Sequence, residues 1–188
     1  MSILVIWSSP NMDGLTAKCK QAAVEGIREY GMECSEVHLN RLQIQRCLVC
    51  GSGWGQCAEK GTCVIDDNFN RLYALMQESD AIVLVTPVYW HDMAEPLKAL
   101  LDRARRCDTK VNHGLEGKPV MLVACAGGSG NGAVRCLGVM EEVMQNMKSN
   151  VRERLPVTRF SAEYMPKAIA SGAWRLCCEI TEKAGTKE

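Results

Sequence analysis

Four cysteines crowd into a short stretch: Cys47, Cys50, Cys57 and Cys63, spaced C-x2-C-x6-C-x5-C. Thiolates this close together suit an iron–sulfur cluster or a zinc ion, since four sulfurs around one centre serve either. The residues alone leave three readings open: a 4Fe-4S cluster, zinc, or free thiols. Three other stretches have the composition of ligand-binding loops. Ser8-Ser9-Pro10-Asn11-Met12-Asp13-Gly14-Leu15-Thr16 follows an apolar run and opens a helical pattern. Amides at a helix N-terminus, with the hydroxyls of Ser8, Ser9 and Thr16, make a neutral phosphate cradle, and a simple capping turn is the competing reading. Thr86-Pro87-Val88-Tyr89-Trp90-His91-Asp92 brings an aromatic pair on which a flat ring could pack, unless the pair fills core or subunit contacts. Cys125-Ala126-Gly127-Gly128-Ser129-Gly130-Asn131-Gly132 lets backbone approach a ligand closely and offer N–H donors.

Other reactive side chains have less around them. His91 is the histidine in a ligand loop, placed as a proton donor or simply exposed, while His38 and His113 have no partner pattern. Asp92, Glu95 and Asp102 read as helix-start and surface charges. Arg103, Arg105 and Arg106 read as a solvated basic face that could meet a nucleotide phosphate. Cys19, Cys34, Cys136, Cys177 and Cys178 read as small core residues, with Cys125 at the mouth of the third loop. No Walker Gly-Lys-Ser/Thr, Gly-x-Gly-x-x-Gly, Ser-His-Asp order, His-Glu-x-x-His or paired-carboxylate motif is present, so hydrolysis has little support.

Alternating elements must position these loops. Ile3–Trp7, Ala81–Val85 and Val120–Ala124 are apolar without alternation, as strands buried on both faces are, and weaker strands are expected near Glu33–Leu39 and Val151–Val157. Apolar stripes at helical spacing run through Leu15–Tyr30, Met93–Ala104, Ala133–Met147 and Met165–Ile180, with a short helix over Asp67–Met76. Strand–helix alternation predicts a flavodoxin-like α/β fold: a doubly wound five-stranded parallel sheet with helices on both faces, in three layers α/β/α. Ligands then bind beyond the carboxyl ends of the strands. The cysteine- and glycine-rich insertion Asn40–Asp66 is out of rhythm, and the tail Ala184–Glu188 is expected to fray.

With 188 residues the chain is expected to be a single domain. Lys+Arg and Asp+Glu are both 22, a balance that offers no general attraction to nucleic acid or an anionic membrane. No apolar run reaches the ~20 residues of a membrane span, and Met1–Trp7 lacks a basic leader pattern, so a cytoplasmic location is expected. Eleven cysteines therefore point to metal or burial rather than to disulfides.

Loop order and motifs resemble the NADPH-dependent FMN reductase and iron–sulfur flavoprotein families of the flavodoxin-like superfamily. Those families carry Gly-Ser-Pro-Arg-x-x-Gly-Asn-Thr after strand one, where this chain has Ser8–Thr16. They carry Ser-Pro-Val-Tyr-Trp/Phe and a downstream Leu-Lys-x-x-x-Asp-Arg, matched by Thr86–Trp90 and by Leu97-Lys98-Ala99-Leu100-Leu101-Asp102-Arg103. A glycine-rich third loop completes the match at Gly127–Asn131. The resemblance implies FMN, with its phosphate on Ser8–Thr16 and its isoalloxazine between Thr86–His91 and Cys125–Asn131. It also implies NAD(P)H or a redox protein as electron donor, a small-molecule acceptor such as a quinone, flavin or metal complex, and a homodimer or homotetramer. A non-enzymatic FMN electron carrier is the alternative. Asn11 stands where the families have Arg, and Leu15 where they have Asn, each removing a phosphate donor. Gly53 stands at the third cysteine position of the iron–sulfur proteins, so Cys57 replaces it only if Gly51–Gln56 folds back.

Overall fold

A computed structural model describes residues 1–185. Five parallel strands form the sheet: β1 (Ser2–Trp7), β2 (Glu33–His38), β3 (Ala81–Tyr89), β5 (Pro119–Ala126) and β6 (Asn150–Thr158), with β4 (Asp92–Met93) folding back antiparallel on the end of β3. Their order is β2-β1-β3-β5-β6. The crossovers are α1 (Leu15–Tyr30), α3 (Phe69–Glu78), α4 (Glu95–Cys107), α5 (Ala133–Asn146) and α6 (Met165–Gly185), with α2 (Gln56–Lys60) inside the insertion. This is the expected three-layer α/β/α arrangement. Ala184 and Gly185 of the expected frayed tail continue α6, and Thr186–Glu188 lie outside the described residues.

The apolar runs became the central strands because both of their faces are covered. Ile3, Val5, Val83 and Val123 point to α1 and α6, whereas Leu4, Ile6, Leu84 and Leu122 point to α3, α4 and α5. Each such side chain contributes about 1.5–3 kcal/mol by leaving water. On the first face α1 and α6 pack so closely that a Cβ on Gly26 would stand 2.2 Å from the Ala170 carbonyl oxygen. The outer strands are polar toward solvent: Glu33, Ser35 and Glu36 on β2, Arg152 and Arg154 on β6. Charges there discourage edge-to-edge pairing.

One charge behaves differently from expectation. Arg103 is not part of a solvated basic face: its side chain is 1% exposed and paired with an equally buried Asp67. The partner lies 36 residues away in sequence, in the turn before α3, so a local reading of α4 had no means of finding it. Two of the expected core cysteines, Cys34 and Cys178, are only half-buried, while Cys19, Cys136 and Cys177 are fully so. Cys34 sits on the edge strand, where no further strand covers it.

Candidate functional site

The carboxyl ends of β1, β3 and β5 lie side by side, and the loops that follow them enclose an open cleft of about 650 Å³. That is within the ordinary range for a small-molecule site. From the first loop it is lined by Ser9, Asn11, Gly14, Leu15 and Thr16; from the second by Pro87, Val88, Tyr89, Trp90 and His91; from the third by Gly127, Gly128, Ser129 and Asn131. Cys125 and Ala126 join them at the end of β5. Ala126 is the last residue of the buried strand leading into the loop.

Four of the expected residues have other positions. Ser8 is fully buried: its hydroxyl donates to Thr86 Oγ1 at 3.2 Å and its amide to the Val85 carbonyl at 3.0 Å. Thr86 Oγ1 in turn accepts from the Ala94 amide at 3.0 Å, just before α4. Together they tie the first loop, the second loop and the start of α4 from beneath. Asp13 is exposed outside the cleft lining. Gly130 faces a neighbouring cleft of about 500 Å³, shared with His91, Asn131, Val134, Arg135 and Tyr164.

The first loop has the form of an anion cradle. Helix α1 is capped by Gly14, which has no side chain to bond the first-turn amides, and the first intrahelical bond runs from the Lys18 amide to the Gly14 carbonyl. Amides at such an end, with the helix dipole behind them, attract a phosphate. Among the described residues no Lys or Arg lines the cleft, so hydrogen bonds would do the holding. His38 supports the loop from below: its Nε2 lies 2.9 Å from the Ser9 carbonyl oxygen, and its ring stacks on Trp7 at 3.9 Å. Nothing near His38 in sequence announced this contact, which crosses from β2 to the loop after β1.

The second loop is a tight hairpin. Tyr89 pairs with Asp92, leaving Trp90 and His91 as its two central residues, with φ of 47° and 70°. A two-residue hairpin with positive φ at both centres is the geometry that Asn-Gly normally fills. Trp and His there are held at a cost, a kind of strain that collects at ligand sites. Trp90 is 93% exposed and Tyr89 51%, so neither ring is core filling. The third loop closes against this hairpin: Gly132, with φ of 87°, caps α5, and a Cβ on it would come within 2.8 Å of His91 Cα.

On the far side of α4, the four clustered cysteines come together. Cys47, Cys50, Cys57 and Cys63 line one cavity of about 20 Å³, along with Cys107, Arg103 and Arg106. The return of Cys57 depends on a turn closed by the Gly53 amide on the Cys50 carbonyl at 3.1 Å, with positive φ at Val49, Gly51 and Gly53. The chain passes so near that a Cβ on Gly55 would stand 2.9 Å from Cys50 Cβ. The 51–56 segment thus folds back and brings Cys57 to the same cavity. Burial pushes the Cys107 thiol up to about 12, helped by Cys57 and Cys63. Among the described residues no three Cys, His, Asp or Glu side chains converge tightly enough for a single metal ion.

The family profile of the NADPH-dependent FMN reductases matches residues 1–158. The chain belongs to that family. Among curated relatives, an iron–sulfur flavoprotein of Methanosarcina thermophila is 34% identical over 132 residues, 70% of this chain and 66% of that protein. An iron–sulfur flavoprotein of Archaeoglobus fulgidus is 34% identical over 103 residues, 55% of this chain and 45% of that one. The chain thus spans about half to two thirds of these relatives' lengths. A flavodoxin from the domain Archaea superposes with a TM-score of 0.67 at 13% identity, covering 96% of this chain and 99% of that one, which shows the flavodoxin-like fold. Among the described residues no helix is long and apolar enough to cross a membrane.

Proposed function

We propose that this FMN reductase family member binds FMN in the 650 Å³ cleft and uses it to pass electrons from NAD(P)H, or from a protein donor, to a small acceptor such as a quinone, free flavin or metal complex. One observation carries the reading: loops after three neighbouring strands meet around a single cleft that has an anion cradle at one end and aromatic rings at the other. The residues fit the cofactor. Cβ atoms on Gly127 and Gly128 would meet nothing within 4 Å, so the backbone there is open to a flat ligand. The first-turn amides of α1 with Thr16 would take the phosphate; Pro87–His91 and Gly127–Asn131 would flank the ring system. Bound flavin supplies hydride and one-electron chemistry, and the protein binds it, orients it and limits water. That division of labour suits a cleft with few reacting side chains, His91 on its rim being the candidate to hold a proton.

The donor set of the second cavity fits a 4Fe-4S cluster. A multi-iron centre needs its thiols farther apart than a lone ion does, and here four of them line one cavity that has two cationic residues in its wall. The cavity is about 20 Å³, so a cluster there requires its walls to open. Trp90, Val134, Phe160 and Tyr164 are more than 60% exposed, and we place this face at the contact of a homodimer or homotetramer, where a second copy would wall the flavin. A single domain in the cytoplasm, engaging neither nucleic acid nor membrane, completes the proposal.

The test is an absorbance spectrum of purified protein supplied with FMN, followed by steady-state NAD(P)H oxidation with quinone as acceptor. Flavin peaks with turnover are expected. Protein that retains no flavin once excess FMN is removed refutes the reading, and flavin without turnover leaves the non-enzymatic carrier, which the cysteine cavity would favour. Iron and acid-labile sulfide near four each per chain are expected after anaerobic purification.

A further inference from the structure

Arg103 has a buried donor atom that its own surroundings do not use. Its Nη1 donates to Asp67 Oδ2 at 2.7 Å and to the Gln45 carbonyl at 3.0 Å, and Nη2 donates to Asp67 Oδ1 at 3.0 Å. The guanidinium lies over the Phe69 ring at 4.1 Å. Asp67 is itself held by the Gln45 and Phe69 amides, so the plane of the guanidinium is set from four sides. Its Nε is buried without a hydrogen-bond partner, and the Cys63 side chain lies close enough to the guanidinium to interact with it. The same side chain forms part of the wall of the cysteine cavity.

A guanidinium only donates, and it does so much better to a thiolate than to a neutral thiol. Asp67 already balances its charge, so stability alone does not require it to face sulfur. Lys would supply the charge without a rigid fork. Carboxylates are absent from the cavity wall, and Arg106 adds a second cation, held by the Gly53 carbonyl and the Trp54 ring at 4.9 Å.

We propose that Arg103 is a positioning residue for an anionic, sulfur-ligated centre in this cavity: its Nε–H donates to Cys63 Sγ once that sulfur is a thiolate, and so raises the centre's reduction potential. The inference rests on the iron–sulfur reading above. Donors to ligating sulfur and nearby positive charge stabilise the reduced form, which carries one more negative charge. On reduction the centre accepts one electron from the reductant; no bond to Arg103 forms or breaks, and no proton moves.

The experiment is a dithionite titration of anaerobically reconstituted full-length protein, followed by electron paramagnetic resonance, with iron, sulfide and flavin assayed on the same samples. Wild type is compared with Arg103→Lys, Arg103→Gln and the double variant Asp67→Asn/Arg103→Gln, which leaves no unpaired buried carboxylate. Both Gln variants are expected to shift the reduced-to-oxidised ratio at least tenfold toward oxidised, 59 mV for a one-electron couple. Arg103→Lys should recover part of that shift, and it decides the matter if neither Gln variant folds. An unchanged potential at full iron content overturns the proposal, as does wild type that binds no iron or sulfide. Flavin and iron content separate the readings: flavin without iron or sulfide sinks the iron–sulfur reading and this inference with it, whereas protein that assembles a cluster but keeps no flavin sinks only the FMN reading.

Discussion

Replacing the two strained hairpin residues tests whether the site holds its rings at the expense of stability. Trp90 and His91 both have positive φ, where a residue with a Cβ loses roughly 1–2 kcal/mol. The double change Trp90→Asn/His91→Gly puts the preferred turn pair there. Gly at position 91 recovers about 1–2 kcal/mol and Asn at position 90, which keeps a Cβ but tolerates this region, part of the same again, less about 0.5–1 kcal/mol for the extra freedom of Gly in the unfolded chain. Since Trp90 is 93% exposed, little burial is lost with its ring. The net gain is about 1–3 kcal/mol, and for a chain of this size each kcal/mol raises Tm by about 2–4 °C. Thermal and urea unfolding of the flavin-free protein measure it. Fluorescence titration with FMN should show the opposite sign, at least about fivefold weaker binding, because an aromatic contact contributes about 0.5–1.5 kcal/mol beyond its area. A variant no more stable than wild type, with unchanged FMN affinity, refutes both the strain and its purpose.

Three further outcomes follow from buried contacts. Arg103→Met should cost about 3–5 kcal/mol by stranding Asp67, and adding Asp67→Asn should restore most of it, read from urea midpoints. Burial pushes the Asp67 carboxyl up, but Arg103 and the Gln45 and Phe69 amides outweigh this and hold it below the usual 3.8. Its contribution is therefore complete above the unfolded value and lost as pH falls through the folded one, so the double variant should lose less stability than wild type below about pH 4. Gly26→Val should cost at least about 1–3 kcal/mol by forcing α1 from the Ala170 carbonyl, seen as a lower urea midpoint at unchanged slope. Tyr73→Phe removes a 2.7 Å bond to the buried Asp108, whose Oδ2 already lacks a partner, and should lower stability by about 1–3 kcal/mol in thermal unfolding.

The three central strands could be read within a residue at the amino end, because a strand covered on both faces shows itself as an unbroken apolar run and a helix as a 3–4 stripe; the outer β2 and β6 carried a weaker pattern that still began within a residue of the observed starts. β3 alone ran well past its predicted end, to Tyr89 rather than Val85, because β4 folds back on it and continues the pairing. That the three loops meet was legible for a related reason: in a doubly wound sheet, whatever follows strands one, three and four must gather at one end. These are local patterns, and every residue that makes them is close by in the chain.

What depended on distant partners was not legible. Arg103 looked like one of three solvated cations until Asp67 came across from the turn before α3, and Ser8 and Thr86 looked like ligand groups until they bonded each other. His38 had no visible role until Ser9 and Trp7 arrived beside it. The composition of the chain determined a layered α/β sheet with polar loops at one end, since burial follows residue type and period. Only the tertiary structure decided which polar groups face the cleft and which brace it, because a hydrogen bond or ion pair is settled by the position of two groups far apart in sequence.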